Sequence, residues 1–332
     1  MKHFTRIADL GVAGTANVLD EVLAWKRQAP GAHLAHKILG MVFFNPSLRT
    51  RASFEAAMLR GGGHAIVLEV GSGVWKLEDR SGVVMDGDRP EHIREAIPVL
   101  GRYVDALAVR TFGALLDDDA DVSDPVMSAF RELAGAPVIS MESAREHPCQ
   151  GLADLLTVRE RFGATQKLPV TLTWAPHIKP LPKAVPHSFL LTAAAAGCEV
   201  RVAHPPGFDL HPAVLAEAQD YARHSGGSVA VSTDQQQAVS GSQVIYAKAW
   251  GPATKQVQPD AAPARIATYR DWMITNKILS SASRDAIFLH CLPVRRNVEV
   301  ADEVLDGIQS RVIDEAENRF HVQRVLLHRL LN

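Results

Sequence analysis

The chain has 332 residues, 47% of them hydrophobic, with 35 Lys and Arg against 37 Asp and Glu for a net charge of −2. That length exceeds what one hydrophobic core usually serves, so two domains are expected. The charge balance offers no general attraction for nucleic acid or anionic lipid, and no apolar run is long enough to span a bilayer, so local arginine clusters point to a small anionic ligand.

The start, Met1-Lys2-His3-Phe4-Thr5, lacks the apolar segment of a secretory signal. Cys149, Cys198 and Cys291 form no CxxC and leave one cysteine over in any disulfide scheme, which fits a reducing cytoplasm. Short apolar runs predict strands at 38–44, 65–69, 106–109, 138–140, 170–174, 199–203, 228–231, 244–247 and 286–290. Helix-compatible segments fall between and after them, at 47–60, 91–101, 125–133, 151–162, 184–196, 212–224 and 316–330. This alternation predicts an α/β protein of two domains, 1–150 and 151–315, each a mainly parallel sheet flanked by helices. Ligands of such sheets bind at the C-terminal strand ends, where Ser47, Arg110, Glu142, Trp174 and Lys248 stand.

The first of these ends runs through Asn45-Pro46-Ser47-Leu48-Arg49-Thr50-Arg51 into a helix. A helix N-terminus with free N–H groups and a partial positive charge attracts phosphate. Ser47 and Thr50 can donate from their hydroxyls, and Arg49 can fork onto two oxygens. A helix merely capped by Ser47, with solvated arginines, is the alternative.

In His147-Pro148-Cys149-Gln150 the proline suits a first helical position, placing His147 at the cap and Gln150 in the first turn. An imidazole N–H and an amide N–H there suit a polarised carbonyl oxygen, although a cap without ligand reads the same way. Arg110 ends an otherwise apolar strand, as a solvated terminus or a ligand contact. The proline-rich loop at 176–182 carries His177 and Lys179. In His290-Cys291-Leu292-Pro293, adjacent strand residues face opposite sides, so a Cys–His dyad is disfavoured and backbone carbonyls facing a ligand are preferred. Gly71-Ser72-Gly73 lacks the rest of a dinucleotide turn, no Walker motif is present, and His33 and His36 have no acidic partner, so neither cofactor nor metal is indicated.

Together, S-x-R-T-R at 47–51, H-P-x-Q at 147–150 and H-C-L-P at 290–293 resemble the aspartate/ornithine carbamoyltransferase family over nearly the whole chain. H-C-L-P in place of H-P-L-P argues against an aspartate enzyme, and no S-M-G tripeptide of ordinary ornithine enzymes is present. Val74-Trp75-Lys76-Leu77-Glu78, Val84-Met85-Asp86-Gly87-Asp88, Tyr246-Ala247-Lys248-Ala249-Trp250-Gly251 and Glu315-Ala316-Glu317-Asn318-Arg319 resemble the N-acylornithine branch. That resemblance implies a carbamoyltransferase of arginine biosynthesis, cytoplasmic and homotrimeric with shared sites, without a cofactor, and with neither nucleic acid nor membrane as partner.

It implies that Ser47, Leu48, Arg49, Thr50, Arg319 and, from a neighbouring subunit, Trp75 hold the phosphate of carbamoyl phosphate. Arg110, His147 and Gln150 would hold its carbonyl oxygen, and the Cys291 and Leu292 carbonyls its NH2 group. Glu142, Lys248 and Arg295 would meet an N-acylornithine, with His177 or Lys179 at a succinyl carboxylate, and the helix from about 316 would pack back on the first domain. Pro90, where the N-acetyl type tends to have glutamate, and Glu299, where it has lysine, favour N-succinylornithine over N-acetylornithine. His187 replaces an expected asparagine. A non-catalytic binder of phosphate metabolites is the alternative from another class.

Overall fold

The computed structural model describes residues 1–28 and 31–332. Four strands form the first parallel sheet: β1 (Ile38–Phe43), β2 (His64–Glu69), β5 (Ala106–Arg110) and β6 (Val138–Glu142), in the order β2-β1-β5-β6. The two-residue strands β3 (Leu77–Glu78) and β4 (Glu91–His92) pair apart from it. The second sheet, also parallel, comprises β7 (Pro169–Trp174), β8 (Glu199–Ala203), β9 (Ser228–Ser232), β10 (Val244–Lys248) and β11 (Ile287–Leu289), ordered β11-β10-β7-β8-β9. β1, β5, β6 and β10 are buried nearly throughout, which explains why they read as continuous apolar runs.

Strand order reverses between β1 and β5 in one sheet and between β7 and β10 in the other. At such switch points the following connections diverge to opposite faces and leave a crevice. Arg110 pairs in register with Phe43 at the first, and Lys248 with Trp174 at the second. Trp174 itself turns into the core, fully buried, and its indole N–H donates to the Trp250 carbonyl at 2.9 Å.

One apolar cluster runs from Leu39 and Met41 of β1 through Leu152, Leu155 and Leu156 to Leu172 of β7 and Leu326. The helix carrying the central leucines is Pro148–Phe162, which starts at the proline ahead of the segment 151–162 and has His147 at its cap. At Gly151 it comes so near helix Ala184–Ala195 that a Cβ would lie 2.5 Å from Thr192 Oγ1 and 2.7 Å from the Ser188 carbonyl. That close crossing sets His147, whose backbone N–H donates to Ser188 Oγ at 2.6 Å.

No helix is anticipated at 11–26, yet Gly11–Lys26 is one. Two glycines weaken its propensity, but its buried Thr15, Val18, Leu19 and Val22 follow a helical stripe that the sequence does contain. The last helix, Val312–Leu331, starts before 316 and so places Glu315 in its first turn. It returns to the first half of the chain, where Arg319 donates to Thr50 Oγ1 at 2.6 Å and Arg329 to Glu21 at 2.7 Å. Among the described residues no helix is long and apolar enough to cross a membrane.

His187 is 1% exposed, and its Nδ1–H donates to the Arg145 carbonyl at 3.0 Å. Burial pushes its pKa down to about 3. The folded state therefore keeps the ring neutral while the unfolded chain protonates below about 6.5, so this contribution is full above that pH and lost as pH falls. Denaturant titrations at pH 8 and pH 5 should show a His187→Asn variant losing about 2 kcal/mol less than the wild type over that interval. Parallel losses would refute the assignment.

Candidate active site

A cleft of about 590 Å³ opens between the C-terminal ends of the two sheets, and every candidate ligand residue except Trp75 and Pro90 lines it. Trp75 is 60% exposed, with its indole N–H on Glu91 at 2.7 Å, and Pro90 is also exposed. The structure does not bring either to this chain's own cleft. A separate cavity of about 250 Å³ lies behind the loop at 179–182. Its buried and half-buried charged groups face one another or the backbone, Lys183 on Asp118 at 2.7 Å and Asp121 on the Ala114 and Leu115 N–H groups.

Ser47 caps helix Leu48–Arg60 by accepting from the Thr50 N–H at 3.3 Å, which leaves its hydroxyl proton free. Leu48 is 82% exposed at the first helical position, so only its backbone can serve a ligand. Arg51 turns away to Glu69 at 2.8 Å, whereas Arg49 lines the cleft with its buried Nε unpartnered. Arg319 and Arg110 converge on the same end. Burial, reinforced by the charge of Arg110, lowers the pKa of both Arg49 and Arg319. Glu142 bonds Arg110 and is the one carboxylate among the described residues that does so, and the Phe112 ring lies 4.7 Å from the guanidinium. Three guanidiniums and a helix start facing one carboxylate make a seat for a dianion.

His147 is buried at the start of its helix, with Nε2 3.8 Å from Glu142 and Nδ1 unpartnered. Burial first, then the charges of Arg319, Arg110 and Arg49, hold its pKa well below the usual histidine range. It is a neutral imidazole with one N–H to give. Gln150 differs from expectation. Its Nε2 donates inward to Asp154 at 2.7 Å and Glu315 at 3.1 Å, so its amide N–H is not free for a carbonyl oxygen. The unpartnered end is Oε1, an acceptor.

His290 and Cys291 lie beyond β11, and they do not form a dyad. The His290 ring is occupied by Glu299 at 3.0 Å and by the Leu292 N–H at 3.0 Å, and burial pushes the Cys291 thiol up to about 12. Such a thiol is no nucleophile at neutral pH. Leu292 takes a left-handed backbone with φ 52, a conformation costing about 1–2 kcal/mol for a residue with a Cβ. Among the described residues, neither the Cys291 nor the Leu292 carbonyl accepts a backbone hydrogen bond.

Across the cleft, Lys248 ends β10 only 8% exposed, without an ion pair among the described residues. Arg295 Nε donates to His177 Nε2 at 3.0 Å, while His177 Nδ1 gives its proton to the Lys179 carbonyl at 3.0 Å. Both ring nitrogens thereby have partners within the chain, and His177 props Arg295. Lys179 is exposed at the rim. Asp154, Glu315 and Phe112 escape the sequence reading. Asp154 leaves a signal, an acid one helical turn beyond Gln150 in an apolar segment, whereas Glu315 enters only as the first residue of the stretch 315–319, with no role attached.

Residues 2–160 match the carbamoyl-P binding domain of aspartate/ornithine carbamoyltransferases, and residues 182–330 match the Asp/Orn binding domain. The chain is 40% identical to the N-succinylornithine carbamoyltransferase of Bacteroides thetaiotaomicron, covering 100% of this chain and 99% of that protein. It is also 40% identical to the N-acetylornithine carbamoyltransferase of Xanthomonas axonopodis pv. citri, covering 98% and 96%. A crystal structure of an N-acetyl-L-ornithine transcarbamylase with a glutamate replaced by proline, complexed with carbamyl phosphate and N-succinyl-L-norvaline, superposes with a TM-score of 0.95 at 39% identity over 99% of this chain and 100% of that one. The arginine-lined cleft thus sits in a chain that belongs to the aspartate/ornithine carbamoyltransferase family.

Proposed function

We propose that the protein transfers the carbamoyl group of carbamoyl phosphate to the δ-amine of N-succinyl-L-ornithine, giving N-succinyl-L-citrulline and phosphate, in arginine biosynthesis in the cytoplasm. The observation that carries this reading is the convergence of Arg49, Arg110 and Arg319 on one helix start, with Lys248, unpaired among the described residues, across the cleft. Ser47, Arg49, Thr50, the Leu48 N–H and Arg319 hold the phosphate. Arg110 and His147 donate to the carbonyl oxygen, whose negative charge grows as the amine attacks. Gln150 Oε1 and the Cys291 and Leu292 carbonyls accept from the carbamoyl NH2.

Lys248 pairs with the α-carboxylate of the acylornithine, and Arg295 or Lys179 with its succinyl carboxylate. The nitrogen–carbon bond forms as the carbon–oxygen bond to phosphate breaks, and the departing phosphate takes the amine proton. Carbamoyl phosphate carries its own leaving group, so the chemistry asks for no cofactor. Holding the two reactants aligned can supply roughly 7–11 kcal/mol.

Residues 1–150 serve as the carbamoyl-phosphate domain and 151–315 as the acylornithine domain, with the last helix closing onto the first. Trp75 and Pro90, exposed and outside their own cleft, fit a homotrimer in which each subunit completes its neighbour's site. By the resemblance, Pro90 stands where the N-acetyl type tends to carry a glutamate. The proline-substituted relative bound to N-succinyl-L-norvaline supports reading Pro90 as room for a succinyl carboxylate. N-acetylornithine is the second reading, favoured by a relative of equal identity.

A citrulline assay with N-succinyl-, N-acetyl- and free ornithine tests the assignment. Turnover of the acetyl substrate equal to or above the succinyl one would sink it. Carbamoyl phosphate binding with no turnover of any ornithine would instead indicate a binding protein. A Pro90→Glu variant should raise KM for N-succinylornithine at least about tenfold, because like charges then meet at the acyl group.

A further inference from the structure

Asp154 and Glu315 are fully buried behind Gln150, and the reaction as written uses neither. Gln150 Nε2 lies 2.7 Å from Asp154 Oδ1 and 3.1 Å from Glu315 Oε1. The other Glu315 oxygen, Oε2, accepts the His290 backbone N–H at 2.9 Å, at the root of the Cys291–Leu292 turn. Among the described residues no lysine, arginine or histidine side chain donates to either acid, and Arg319 is engaged with Thr50.

We propose that Asp154 and Glu315 are positioning residues, which lock the Gln150 amide with its oxygen toward the cleft and, through Glu315, hold that oxygen in register with the Cys291 and Leu292 carbonyls. The inference rests on the carbamoyl phosphate reading above. Two adjacent carboxyl groups without a bonded cation cannot both ionise in a buried site, and burial raises the pKa of each. The oxygens left over face the Gln150 NH2. The flipped amide would turn its oxygen toward the two carboxyl oxygens that now accept from its NH2, giving up both bonds and setting lone pairs against lone pairs.

The carbamoyl NH2 consequently meets three acceptors and no donor. An arrangement of that kind separates an amide from a methyl ketone or a carboxylate of the same shape, because only the amide can donate. The acids thereby set donor selectivity from behind the contact surface. This also explains why a glutamate from the last helix reaches both the first turn of helix Pro148–Phe162 and the backbone of His290.

Calorimetry with two stable probes tests the proposal, phosphonoacetamide standing for carbamoyl phosphate and acetonylphosphonate for its methyl analogue. The wild type should prefer the amide by about 10- to 100-fold, the worth of one or two hydrogen bonds. Asp154→Asn and Glu315→Gln should each cut that preference at least about fivefold. Their affinity for acetonylphosphonate should stay within about threefold of wild type, because the phosphonate seat is untouched. Equal weakening toward both probes would mean a merely structural role and overturn the proposal, as would a preference that persists in either variant. A wild type that binds both probes alike would overturn it without any variant. Binding of neither probe would instead remove the carbamoyl phosphate reading.

Discussion

An Arg49→Ala variant is expected to lose measurable carbamoyl phosphate binding and at least about 10³-fold in kcat/KM. A guanidinium forked onto phosphate makes two charge-assisted hydrogen bonds, each worth about 1.5–3 kcal/mol, or roughly 3–6 kcal/mol together. Arg49 has no carboxylate partner among the described residues, so its removal orphans nothing and relieves repulsion from Arg110 and Arg319. Stability should hold or rise while binding disappears. Arg110→Ala makes the internal control, because it strands the buried Glu142 that it now bonds. Calorimetry with carbamoyl phosphate, beside a thermal melt of each variant, separates the two effects. An unchanged dissociation constant for Arg49→Ala would remove its phosphate role.

His147→Phe should lower kcat by about 10²- to 10³-fold, the usual cost of one donor to a developing oxyanion, with a smaller change in carbamoyl phosphate affinity. His147→Asn retains an N–H and should recover part of the loss. The sign of the pKa shift adds a second readout. Burial and three nearby guanidiniums favour the uncharged ring, so His147 stays neutral from far below pH 6.5 upward. The wild-type rate should show no inflection between pH 6 and 8 that vanishes in the His147 variants. An acidic limb near 6.5 that disappears with His147 would mean that the residue titrates in turnover, and the fixed-donor role would fail.

The central strands were the most legible part of the chain because both of their faces are buried. The runs that became β1, β5 and β10 carry no polar alternation to confuse them. Helix Gly11–Lys26 was obscured by Gly11 and Gly14, although tertiary packing on its Val18 and Val22 stripe overrides that weak propensity. At the site, side chains on strand ends and helix starts were readable from position alone, as with Arg110, Lys248 and Arg49.

The orientation of Gln150 was not readable, because it depends on Glu315, 165 residues away in sequence. The employment of His177 was equally hidden, since Arg295, 118 residues downstream, takes its Nε2. Residue type and spacing report which groups reach a cleft. Which end of an amide or ring remains free there is settled by long-range partners.

The apolar cluster that joins β1 to β7 through helix Pro148–Phe162 makes the two halves thermodynamically inseparable. With the last helix also returning to the first sheet, loosening either half exposes leucines belonging to both. The molecule should therefore melt as a single cooperative unit, and an anion seated at Arg49 would protect amides in β7 and β8 as well as those beside it. Occupancy at one end of the cleft is then felt as rigidity at the other, with no moving part required to carry it.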